Sequence, residues 1–136
     1  MLRAVALLSG FYDTAVGLAL LLAAERVASL FGVAPPVPAV FGDTNGIFLV
    51  SVGVGYWLPW RDPHRYRAYL WLMGPFLKGM GAAVFLRDYV VRGSPEGFLL
   101  FAASDGALAL LTLAALMRER PPGGAAASNR GESPRR

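Results

Sequence analysis

The chain has 136 residues, a length that sets one domain as the default. Hydrophobic residues make up 55% of it and charged residues only 16%. Soluble domains carry about 25% charged residues, so the balance points to a membrane protein. There is no cysteine, which excludes disulfides, thiolate metal sites and thiol redox chemistry. The net charge of +4 does not signal nucleic acid. The arginines flank hydrophobic runs and crowd the C-terminal end, with no basic groove set with stacking aromatics.

In chain order, four segments are each about long enough to cross a bilayer, which needs about 20 helical residues. They cover residues 4–30, 38–58, 66–86 and 97–117. None alternates with the period of a barrel strand, and helices are the other way to satisfy a backbone in lipid. The expected fold is therefore all-α: an integral membrane four-helix bundle over residues 1–118, followed by a disordered cytoplasmic tail at 119–136. The first segment has the Arg3 and apolar run of a signal peptide. Asp13 inside the run and the run's length argue for a retained helix.

The connectors agree with this division. The stretch from Gly32 to Pro38 holds three prolines, which end one helix and begin another. Trp57, Trp60, Arg61, His64, Arg65, Tyr66 and Arg67 form an aromatic and basic turn of the kind found at membrane boundaries. Residues 87–96 make a polar turn containing Gly93 and Pro95. Counting arginines sets the topology. Arg3, Arg61, Arg65, Arg67, Arg118 and the tail arginines fall on one side, and Arg26, Arg87 and Arg92 on the other. The positive-inside rule then places both termini in the cytoplasm.

The informative residues are charges inside apolar runs. Lys78, the only lysine, stands in the third segment, Asp13 in the first and Asp105 in the fourth. Counted from the nearest arginines, all three lie about 15–20 Å deep, in one layer near the midplane. Each alone costs about 2.5–3.5 kcal/mol at that depth, so Lys78 is expected to pair with Asp13 or Asp105. Small residues share their faces: Gly10 and Gly17 with Asp13, Gly74 and Gly81 with Lys78, Ala102 and Ala109 with Asp105. Pro75 removes a helical hydrogen bond one turn before Lys78 and is expected to kink the helix and open a pocket. Asp43, Thr44 and Asn45 sit near the far surface, either capping the second helix or lining a polar mouth. Tyr12 and Tyr69 read as packing residues and His64 as a surface residue.

The candidate binding residues are thus Lys78, Asp13, Asp105, Asp43 and Asn45. Two readings of them stay open: an ion pair that fixes helix register, or a ligand or proton site. No catalytic residue, metal site or cofactor is expected. The single histidine lies in a loop, and no Ser–His–Asp set, P-loop or zinc spacing is present.

Four short helices in about 120 residues, with acids and glycines inside them, resemble the small bacterial membrane proteins of the DoxX-like type. That resemblance covers length, helix number and cytoplasmic termini, and carries over no functional residue. It implies an inner-membrane location and, for some members, a role as an accessory subunit of a membrane redox complex. Small multidrug transporters are similar in having four helices and an acid in the first, as Asp13 is here. They use glutamate, and a mid-membrane lysine such as Lys78 is not part of their pattern. The expected function is an accessory subunit, or a binder of a lipid or hydrophobic small molecule, held in the bilayer with a membrane protein partner or as a homo-oligomer. The alternative is a small proton-coupled transporter.

Overall fold

In the computed structural model, residues 1–119 are described. They fold as α1 (Leu2–Leu30), α2 (Val40–Gly55), α3 (Trp57–Arg61), α4 (Arg67–Trp71), a π-helical turn (Leu72–Lys78), α5 (Gly79–Arg92) and α6 (Phe98–Arg118). The α4, π and α5 pieces run on as one rod, and α3 extends α2. Four rods result, and no strand occurs among the described residues. The expected tail, apart from Glu119, lies outside them.

Three rods are long and apolar enough to cross a membrane: Leu2–Leu30, Arg67–Arg92 and Phe98–Arg118. The expected second span, 38–58, is divided between α2 and its extension α3. Tyr56 joins them in helical geometry (φ −65°, ψ −12°), so the rod over residues 40–61 reaches about 33 Å, against a hydrocarbon core of about 30 Å. Pro59, which has no N–H to continue the ladder, sits inside the α3 extension. The third rod runs six residues beyond its expected end at 86, to Arg92.

Two of the four rods end on a left-handed glycine. Gly32 has φ +67°, and the Val33 amide donates to the Ala28 carbonyl at 3.0 Å, closing a left-handed cap on α1. Gly93, at φ +69°, terminates α5 in the same left-handed conformation. Inside α1, Ala23 departs from helical geometry (φ −148°, ψ 36°) and kinks the rod.

The rods form two hairpins, α1 with α2 and the α4–α5 rod with α6, joined by a thinner α1–α6 contact. Glycine explains the closeness of the first. A Cβ on Gly17 would lie 2.7 Å from the Gly46 carbonyl oxygen, and one on Gly10 would lie 2.9 Å from that of Gly53. The two backbones therefore touch directly.

Met1 and Glu119, the first and last described residues, meet at one end of the bundle, here termed proximal. Leu2, Val5, Ala6, Val52, Tyr56, Leu70, Ala115 and Leu116 form a buried core there. The Tyr56 and Tyr69 rings meet edge to face at 5.2 Å, and the Tyr69 hydroxyl donates to the Val52 carbonyl at 2.6 Å. Arg67 Nη1 donates to the Glu119 carbonyl at 2.6 Å, and Nη2 donates to the Leu116 carbonyl. This guanidinium caps the free carbonyls at the end of α6, where the helix dipole favours a cation. The Glu119 carboxylate accepts from the Leu2 amide and pairs with the Met1 ammonium at 2.8 Å, which ties α6 to α1. Outward faces are apolar along the rods, as with Phe11, Leu22, Val84, Val90, Leu100 and Leu110.

Candidate functional site

Three rods deliver the charged layer. Asp13 sits on the face of α1 that also carries Ser9, Gly10 and Gly17, all buried. Lys78 closes the π-helical turn, which is built around Pro75. A proline in a helix interior removes one hydrogen bond and crowds the preceding turn. The backbone here widens to π geometry over seven residues rather than breaking, a form that often marks functional sites. Asp105 projects from α6 opposite Gly81, whose missing side chain leaves room for it: a Cβ there would lie 3.3 Å from Asp105 Oδ2.

Lys78 Nζ donates to Asp13 Oδ1 at 2.5 Å and to Asp105 Oδ1 at 3.3 Å. It also stands 4.7 Å from the centre of the Tyr12 ring, in cation–π range. The lysine and Asp13 are almost wholly buried, with side chains 4% and 3% exposed, whereas Asp105 is 17% exposed. The lysine's three N–H directions are thus taken up by two carboxylates and an aromatic face. Asp13 Oδ2 is buried and meets no donor among the described residues. Tyr12 is held by its hydroxyl, 2.7 Å from Ser104 Oγ on α6.

The charged layer forms one wall of a cavity of about 340 Å³ between the two hairpins. Lysine and both aspartates line it together with apolar side chains such as Val16, Leu20, Val27 and Leu49. Its far, distal end carries four phenylalanines. Phe31 of the α1–α2 connection, Phe85 of α5, and Phe98 and Phe101 of α6 stack with centroids 4.7–6.1 Å apart. The volume falls in the lower part of the range of about 300–1,000 Å³ typical of small-molecule pockets, and such pockets pair apolar walls with few polar groups.

Of the five candidate residues, the structure brings Lys78, Asp13 and Asp105 into direct contact. Asn45 lines the same cavity, nearer its distal end, while Asp43 is exposed and does not line it. Capping does not explain that stretch: α2 starts at Val40 with no side-chain cap, and the Thr44 hydroxyl donates back to the Val40 carbonyl at 2.7 Å. Tyr12, read from the sequence as packing, belongs to the site. So do Ser104 and the phenylalanines. Tyr12 and Ser104 each stand beside an aspartate of the charged layer in the sequence, and that adjacency is the available signal. His64 is exposed, as expected of a surface residue.

Fold and site together define an all-helical bundle with three helices able to cross a membrane and a buried charged layer that opens on an apolar cavity. Compared with protein-family models, curated proteins and solved structures, the chain matches none.

Proposed function

We propose that this chain is a multi-pass protein of a bacterial inner membrane, with both termini cytoplasmic, that holds a lipid or hydrophobic small molecule in its distal cavity. The occupant's polar end rests against Lys78, Asp13 and Asp105, and its apolar part against the phenylalanines. One observation carries the reading: a cavity of about 340 Å³ whose apolar walls end on a buried ion cluster. An ion pair serving only to fix register needs no cavity beside it. Cytoplasmic termini rest on Arg3, Arg61, Arg65, Arg67 and Arg118 gathering at the proximal end. The likeness to DoxX-like proteins in helix number and length belongs with this proposal, as does service as an accessory subunit that presents the occupant to a partner.

The test is native mass spectrometry of the purified protein and of Ala24→Trp, which puts an indole into the cavity wall. Wild type should retain a small amphiphile through mild activation, and the variant should lose it. Equal retention by both would remove the cavity from the account.

A second reading draws on Ser9 and Tyr56. Both are buried on the proximal side of Asp13, with the Ser9 hydroxyl beside that of Tyr56. Polar side chains continuing below the ion cluster favour a proton-coupled transporter, in which Asp13 or Asp105 exchanges a proton for substrate. Proteoliposomes with an imposed pH gradient separate the two: substrate flux driven by the gradient would favour transport over binding alone.

A further inference from the structure

The ion cluster is unbalanced, and Asp105, the more open of its two acids, faces the cavity. With both carboxylates ionised, two negative charges meet one positive charge. Lys78 is committed to Asp13 Oδ1, Asp105 Oδ1 and the Tyr12 ring. Asp13 Oδ2 has no donor among the described residues and is itself enclosed, the side chain being only 3% exposed. An unpaired carboxylate oxygen in such a place is costly, because a buried charge is stable only when paired and hydrogen-bonded. Asp105, also on the cavity wall, is the more open of the two acids. With both acids ionised, the cavity therefore ends on the open Asp105 carboxylate and an uncompensated negative charge.

Three kinds of occupant can be compared on these grounds. An anionic head group would have to displace an aspartate from Lys78 and would add a second uncompensated charge. A wholly apolar molecule would leave the excess negative charge at Asp105 uncompensated. A protonated amine supplies N–H donors and the missing positive charge at once. Its apolar remainder then meets Leu20, Val27 and the stacked phenylalanines, whose faces also favour a nearby cation.

We infer that the occupant is a lipophilic amine, bound as the ammonium with its nitrogen against Asp105 and its apolar part directed to the distal phenylalanines. This deepens the binding reading above and rests on it.

The experiment compares three probes with one skeleton, phenylbutylamine, phenylbutanol and phenylbutanoate, by thermal melting of the full chain in neutral detergent. A ligand that binds only the folded state raises the melting temperature in step with its affinity. The amine should bind about tenfold or more tighter than the alcohol, since a charge-assisted hydrogen bond replaces a neutral one. The carboxylate should bind weakest. In Asp105→Asn the amine should lose most of its advantage while the alcohol keeps its shift. A larger shift from the carboxylate than from the amine would overturn the inference and assign the head group to Lys78. Equal shifts from all three would overturn it too, because the head group would then not be read, yet binding in the cavity would stand. Silence from all three would sink the binding reading itself. The wild-type panel decides the question even if Asp105→Asn fails to fold.

Discussion

The proximal half of the bundle is packed solid, and the distal half is hollow. Proximally, Leu2, Val5, Tyr56, Leu70 and Leu116 close on one another, and Arg67 and Glu119 tie the rod ends together. Distally, the same rods diverge around a cavity whose far end is stacked phenylalanine. Lys78, Asp13 and Asp105 lie at the boundary. Close packing and open space are thus separated along the bundle axis. The closed half holds the rods in register, so the open half can leave space unfilled and keep a buried charge.

The largest expected effect comes from the boundary. Lys78→Met leaves two carboxylates facing each other without a cation and should cost about 3–5 kcal/mol, the usual cost of breaking a buried pair. The double variant Lys78→Met, Asp13→Asn should recover part of that loss in a detergent melt. No recovery would mean that the two side chains are not coupled as their contact implies.

Next come paired truncations across the two halves. Leu116→Ala, in the solid half, should cost about 2–5 kcal/mol. Leu20→Ala, at the cavity wall, removes fewer contacts and should cost under about 1 kcal/mol by the same reasoning. Comparable losses at both positions would contradict a solid half and a hollow half. Gly17→Ala tests the seam that holds α1 on α2. Its Cβ would meet backbone at 2.7 Å, so overpacking should cost about 1–3 kcal/mol.

Two smaller effects probe the proximal ties. Arg67→Ala removes the cap on α6 and should cost about 1 kcal/mol, read as earlier amide exchange at the end of that helix. Glu119 is the more delicate case. Its hydrogen bond to the Met1 ammonium holds the carboxyl below the usual glutamate range. A group depressed on folding stabilises the fold above its ordinary titration range and loses that contribution as pH falls through its lowered value. The Leu2 amide, which donates to Glu119, should therefore lose protection from exchange at acid pH and keep it at neutral pH.

Much of the site was legible because a charge in an apolar helix has few places to go. Depth counted from the arginines put Lys78, Asp13 and Asp105 in one layer, and they meet there. Asp43 and Asn45 show where such counting stops. Two residues apart on an α-helix they differ by about 200° of rotation, so one faces the cavity and the other does not. Depth was readable and azimuth was not. Pro75 announced a break in the helix, but proline alone does not say whether the backbone kinks or widens to π geometry. The bend at Ala23 has no proline or glycine beneath it and no signal in the sequence. Phe31, Phe85, Phe98 and Phe101 come from three separate stretches, and only the tertiary fold brings them together.

The most direct test of the hollow half is photolabelling of the protein in lipid nanodiscs with a diazirine-bearing phenylalkylamine, read by peptide mapping. The account predicts label on cavity residues such as Leu20, Val27 and Phe101, suppressed by excess phenylbutylamine. Label confined to outward residues such as Leu22, Val84 and Leu110, and insensitive to competitor, would contradict it.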